Sequence, residues 1–409
     1  MDKLKIGILH APNTLNYGSM MLCENAIYYL AKLIHNVSFI VLSNFVEETQ
    51  TRLRNATGYN NIEVRPHIIP TQNKIIPNRL SFLLDKSVFR YRNLIKQLND
   101  CNVIIALGGD DISEYYGNVK LMDILLRLRC LKKANKKIYL FGQSIGPFYS
   151  WRIPLARSVL REIDKIYHRG LRSYEYVVGE LKVKNNSSFS SDLAFLDLAR
   201  QKEVYNIDKY NIEADRYFTF VPSGLWWKYS DSYDTYFEEL NAITMYILEK
   251  AMELDMKLVL LPHVLRWTDD VRVVKEMVNR LGGDRIVGID DVLLPFQARA
   301  ILGSSHFVVT QKMHGAISSL QMGVPALCLS FSVKFSEVIG EYLGLPELVV
   351  EVKKDHFKED IDKGYSSIDF ALQNQAILRS KIEKAVVKAK RDAMIQIEDL
   401  AKDMISQLD

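Results

Sequence analysis

Cysteine is scarce in this chain: four in 409 residues, Cys23, Cys101, Cys130 and Cys328, far apart and none in a CxxC pair. That spacing excludes a disulfide framework and a cysteine metal site, and it fits reduced core thiols of a cytoplasmic protein. No apolar stretch is long enough to span a bilayer. The opening MDKLKIGIL carries too short an apolar run for a secretory leader and passes straight into a strand-like segment. Neither sign of charge dominates. Lys and Arg number 53 against 49 Asp and Glu, a net +4 that is too weak to argue for nucleic acid but suits an anionic substrate or an acidic membrane surface. There is no HExxH, and Asp110-Asp111 lacks DxD spacing and a third ligand, so no metal is expected. The first strand–loop–helix unit has no GxGxxG, which excludes a dinucleotide fingerprint. Low-complexity segments are absent as well.

What is present is an ordinary globular balance, 48% hydrophobic and 25% charged, at a length for two or three domains. Short apolar runs alternate with helical periodicity. Lys5–His10, Val37–Leu42, Val103–Leu107, Lys137–Phe141 and Lys165–His168 read as buried strands, with Ile62–Ile69 weakened by Pro66. The alternation restarts at Tyr217–Val221 and continues through Lys257–Leu261, Arg285–Gly288 and His306–Thr310. The pattern predicts an α/β chain of two Rossmann-like domains facing a cleft, over 1–205 and 206–368, with a C-terminal helical tail over 369–409. A basic stretch, 71–100, interrupts the first domain and contains the amphipathic run Arg79–Leu98. It reads as a solvated helix or lid, or as a patch touching a membrane or a lipid-linked substrate.

In such sheets ligands bind beyond the strand C-termini, and the unusual residues gather at those places. They are Asn16 and Gly18, Gly108-Gly109-Asp110-Asp111, Gln143 to Pro147, Arg169, His263, Lys312 to Gly315, and Lys334. The most informative segment is HFVVTQKMHGAISSLQMGVPALCLSFSVKFSEVIGEYLGL, His306–Leu345. A strand there hands over to a helix at Lys312 and His314, and a helix start favours an anion. The ordinary reading of each group stands beside this one. His263 suits a loop histidine and Asp192 a turn cap, Trp226-Trp227 suits packing, and His10, His168 and His306 lie in or beside strands as structural residues.

Taken together, NYGS (16–19), ALGGDD (106–111), FGQSIGPF (141–148), HRGLRSYEYV (168–177), SDLAF (191–195), LLPHV (260–264) and the segment from Thr310 onward resemble the polysaccharide pyruvyl transferase family. The resemblance implies a GT-B-like fold, phosphoenolpyruvate as donor substrate with no cofactor, and a glycan or lipid-linked oligosaccharide as acceptor in making capsule or exopolysaccharide. A ketal forms and phosphate is released. On this reading His314, Lys312 and Lys334 are catalytic. Arg169, His263 and Gly315 bind the donor, and Asn16, Gly18, Gly109, Asp110, Asp111 and Gln143 meet the acceptor. A cytoplasmic enzyme, at most peripheral at the inner face of the plasma membrane, follows. Three positions depart from the family pattern. Lys312 stands for its Arg, Gly170 for an Asp and Ser19 for another Asp. Lysine keeps the charge but loses the bidentate fork. The alternative is a GT-B glycosyltransferase that uses a nucleotide sugar.

Overall fold

Runs rich in Val, Ile and Leu fold here as parallel strands buried on both faces, which is why they read as continuous rather than alternating. The computed structural model describes residues 4–10, 13–67 and 86–406. The first sheet contains β1 (Leu4–Leu9), β2 (Val37–Ser43), β3 (Ile62–Pro66), β4 (Val103–Ala106), β5 (Lys137–Gln143), β6 (Lys165–His168) and β7 (Ser187–Phe189). All pairs are parallel, in the order β3-β2-β1-β4-β5-β6-β7. Pro66 ends the edge strand β3, where a missing N–H is tolerated. Leu98, Leu125, Leu128 and Leu160 from the covering segments pack with Ile104, Ile138 and Ile166 of the strands.

The second sheet contains β8 (Tyr217–Val221), β9 (Lys257–Leu260), β10 (Ile286–Gly288), β11 (Phe307–Thr310), β12 (Ala326–Ser330) and β13 (Val349–Glu351). Its parallel order, β10-β9-β8-β11-β12-β13, repeats the winding of the first. The winding direction reverses between β1 and β4 in one sheet and between β8 and β11 in the other. A crevice at the strand C-termini belongs at each reversal.

The chain divides into two compact units. One comprises 1–14, 22–193 and 392–409, and the other 15–21 and 194–391. This differs from the expected division at 205/206 in three ways, each with a visible cause. The segment that opens the second unit starts at Ala194, ahead of 205. Arg299 donates to the carbonyls of Ala194 and Leu196, and Lys390 pairs with Asp197 at 2.6 Å, which holds it on the second unit. Residues 15–21 join that unit because Asn16 bridges to Val264 and the Tyr17 N–H donates to the His263 carbonyl. The tail is not a separate body. Helix Gln375–Ile405 belongs to the second unit up to Arg391 and to the first from Asp392. Its expected apolar row, Ile382, Val386, Ala389, Ala393 and Ile397, is buried throughout. Of the basic stretch, 71–85 lies outside the described residues, and Lys86–Gln97 is helical.

Candidate active site

In the second unit β11 runs directly into helix Met313–Gln321, with Lys312 as its extended N-cap residue. Thr310 fixes the junction, its Oγ1 accepting from the Lys312 N–H at 2.9 Å. Three residues on, the chain needs a glycine. A Cβ on Gly315 would lie 2.9 Å from Thr310 Oγ1 and 3.7 Å from the His263 ring, so glycine lets the helix start sit on the strand ends. Gln311 accepts from the Ser223 N–H and the Tyr236 hydroxyl, joining the segments after β8 and β11 on the two sides of the reversal.

His314 lies in the first turn of that helix, half-buried. Opposite it, helix Tyr17–Leu33 begins. Asn16 caps that start, with Oδ1 accepting from the Ser19 N–H at 3.3 Å. Gly18 then presents bare backbone to the His314 imidazole, where a Cβ would meet Nδ1 at 2.2 Å. His263, at the end of the β9 segment, is 2% exposed and meets Tyr17 edge-on at 5.4 Å. Burial first, then neighbouring His314 and Lys312, hold its pKa well below the imidazole range, so it is neutral. Its Nε2 is buried without a hydrogen-bond partner.

Lys312 is anchored rather than loose. Its Nζ pairs with Asp270 at 2.8 Å, with side chains 10% and 0% exposed. Asp270 also accepts from the Gly224 N–H, the Val264 N–H and the Thr268 hydroxyl. This carboxylate joins the segments after β8, β9 and β11, and sequence reasoning missed it. The available signal was the Pro222-Ser223-Gly224 turn facing a helix that opens on Asp269-Asp270. A Cβ on Gly224 would lie 2.3 Å from that helix's backbone. Lys334 follows β12, one strand out from β11 on the same edge. Thus Gly18, Asn16, His263, Lys312, His314 and Gly315 gather at one strand edge. Asn16 and Gly18, expected on the acceptor side of the first domain, belong to the second unit.

The first unit's strand edge is differently built. Gly108 lies against the irregular end of β5, where a Cβ would stand 2.1 Å from the Gly142 carbonyl oxygen. Gln143, expected to meet acceptor, is 1% exposed and donates to the carbonyls of Ala106 and Phe141, so it pins β4 to β5. Beyond Gly109, Asp110 accepts from the Tyr116 hydroxyl at 3.0 Å and Asp111 pairs with Lys120 at 2.5 Å. Arg169, expected on the donor, is buried. It pairs with Asp192 at 2.7 Å and donates to Ser144 Oγ at 3.0 Å. Asp192 is therefore the ion-pair partner of Arg169.

A family model described as polysaccharide pyruvyl transferase matches residues 16–332. The chain belongs to that family. The match takes in both strand edges, from Asn16 and Gly18 to His314. Amylovoran biosynthesis protein AmsJ of Erwinia amylovora is 21% identical over 339 residues, covering 78% of this chain and 77% of AmsJ. Among solved structures, the S. aureus MnaA–UDP complex superposes with a TM-score of 0.63 at 13% identity, covering 100% of this chain and 97% of that one. UDP-GlcNAc 2-epimerase of Neisseria meningitidis bound to UDP-GlcNAc gives 0.61 at 10%, covering 98% and 99%. At such identities the likeness shows the fold, which is GT-B-like with two Rossmann-type sheets. The chain is thus a polysaccharide pyruvyl transferase family enzyme. Among the described residues no helix is long and apolar enough to cross a membrane.

Proposed function

We propose that this pyruvyl transferase family member moves the enolpyruvyl group of phosphoenolpyruvate onto a sugar of a cell-surface polysaccharide precursor. The acceptor is a lipid-linked oligosaccharide at the inner face of the plasma membrane. The observation that carries the reading is His314. It stands in the first turn of a helix, against Gly18, two residues from the anchored cation Lys312.

The donor carries a carboxylate and a phosphate, which helix N–H groups, Lys312 and Lys334 suit. One acceptor hydroxyl adds to the central carbon of the enolpyruvyl group while a proton reaches the methylene carbon, making it a methyl. A second hydroxyl of the same sugar displaces phosphate from the central carbon, and its proton leaves with the phosphate. Both halves need a proton moved near neutral pH, the task for which imidazole is suited. His314 fills that role, His263 stays neutral beside it, and Asp110 and Asp111 keep the acceptor-side role. Arg169 acts through its buried pair with Asp192, positioning the end of β6 rather than gripping phosphate.

The test is incubation with phosphoenolpyruvate and candidate glycan lipids, following phosphate release and the mass gain of a ketal. Absence of both across varied acceptors, with no donor-induced thermal shift, refutes the proposal. A nucleotide-sugar donor is the second reading, favoured by the fold shared with UDP-bound proteins. Stabilisation by UDP, GDP or CMP but not by phosphoenolpyruvate decides for it.

A further inference from the structure

The segment after β9, Val264 to Asp270, carries Trp267, and the reaction above gives that residue no part. Its backbone is left-handed, with φ 73°. Most of the other non-glycine residues with positive φ among the described residues are Asn or Asp, which adopt this region readily, whereas a bulky aromatic there is an outlier. Such a conformation persists where the surroundings enforce it, often at functional sites. The enforcing bonds are visible. Asp270 accepts from the Val264 N–H at 3.0 Å and from the Thr268 hydroxyl at 2.9 Å, closing the segment on itself. The Leu265 N–H donates to the Leu15 carbonyl at 2.8 Å, fastening the segment to the residue before Asn16. Trp267 is nevertheless 59% exposed, so burial of the indole does not explain the conformation. Trp151 is exposed as well, but with an ordinary φ of −63° it shows no such constraint.

The position is beside the reacting groups. Trp267 lies between His263 and Asp270 in the chain, and Asp270 anchors Lys312 at 2.8 Å. An extended chain spans at most about 14 Å from His263 to Trp267, within the reach of an oligosaccharide. The segment after β8 is pinned to the same carboxylate through the Gly224 N–H at 2.7 Å, and it presents a second ring. There Trp226 packs edge-on against Trp227 at 5.8 Å and against Tyr233 at 6.1 Å, while Trp227 is left 43% exposed. Strands β8 and β9 are neighbours, so two exposed indoles lie on adjoining segments. The chemistry of such a surface narrows its ligand. A pyranose carries C–H groups on its faces and hydroxyls around its rim. The negative face of an indole attracts those C–H hydrogens, covers the apolar patch and leaves the rim to polar groups. The small anionic donor has no flat apolar face of that size.

We propose that Trp267 stacks on a sugar ring of the acceptor and is a specificity-determining residue of the reaction, held in place by its left-handed backbone. This contact lies in the second unit, whereas Asp110 and Asp111 lie in the first. The proposal rests on the glycan-modifying reading above and not on the identity of the donor.

The test uses the full-length protein labelled with fluorotryptophan, which gives one fluorine resonance for each of Trp151, Trp226, Trp227 and Trp267. It is titrated with oligosaccharides ending in glucose, galactose, mannose or N-acetylglucosamine, and separately with UDP. At least one oligosaccharide is expected to move the resonance that disappears in Trp267→Phe. Trp267→Gly is expected to bind that oligosaccharide roughly tenfold more weakly, and Trp267→Phe, which keeps a flat ring, to fall between. Glycine takes the left-handed backbone without strain, so Trp267→Gly is expected to melt no lower than the wild type. A ring kept only for packing would lower the melting temperature and leave binding unchanged. A Trp267 resonance unmoved by the whole oligosaccharide panel overturns the proposal, as does equal binding by Trp267→Gly or a resonance that moves with UDP alone. Should Trp267→Gly fold poorly, the wild-type titration decides, with Trp267→Phe assigning the resonance. Phosphoenolpyruvate is absent throughout, so glycan binding without ketal formation sinks the proposed reaction and leaves this result standing.

Discussion

Gly18 and His314 occupy one another's space. A Cβ built on the glycine would lie 2.2 Å from the imidazole Nδ1 and 2.9 Å from the histidine Cβ. Rotating the ring relieves only the first of these contacts. The glycine of NYGS and the histidine of KMHG, distant in sequence, are therefore one structural unit. Glycine is required by close approach and not by an unusual backbone angle.

Gly18→Ala is accordingly expected to displace His314 from its position. A displacement on the order of 1 Å costs about 100-fold in turnover. The overpacking costs about 1–3 kcal/mol of stability. Phosphate-release kinetics and a melt on the same preparation check both, and a variant with wild-type turnover refutes the coupling.

Asp270 receives Lys312, the N–H groups of Gly224 and Val264, and the Thr268 hydroxyl. Asp270→Ala strands a largely buried cation and two N–H groups, and is expected to cost about 3–5 kcal/mol in denaturant titration. Lys312→Met leaves the carboxylate its other three partners and costs less. The double variant is expected to lose less than the two single losses combined, because both touch one network.

Acid should loosen the first unit through His168. The ring is fully buried, with Nδ1 3.1 Å from Ser173 Oγ, and burial lowers its pKa to about 3. Above about pH 6.5 the ring is neutral in both folded and unfolded chains. Below that value the unfolded chain takes up a proton that the native state refuses. Stability then falls as pH drops from about 6.5 toward 3, by about 1.4 kcal/mol per pH unit from this residue. Denaturation midpoints measured across that window should flatten in His168→Gln if the variant folds. An unchanged slope counts against the assignment.

The last turns of the chain should be indispensable to the first unit. Gln396 donates to Ser190 Oγ and the Ser191 carbonyl, Tyr167 donates to Asp399 at 2.9 Å, and Tyr139 to Asp403 at 2.6 Å. Ending the chain at Arg391 opens these buried contacts and removes the apolar cover of Ile397 and Leu400. Such a truncation is expected to unfold the first unit selectively, seen as early loss of hydrogen-exchange protection in β5 and β6 with β8 and β11 still protected.

The sequence by itself determined the alternation of strand and helix and the strands flanking both reversals, because apolar periodicity and turn chemistry are local. It also made Gly18 and Gly315 conspicuous without saying what they make room for. Only the tertiary structure decided that Asn16 and Gly18 belong with His314, that Arg169 and Gln143 are internal props, and that Asp270 anchors Lys312. Such pairings join residues far apart in the chain through close backbone approach and buried charge. Neither leaves a periodic trace along the sequence.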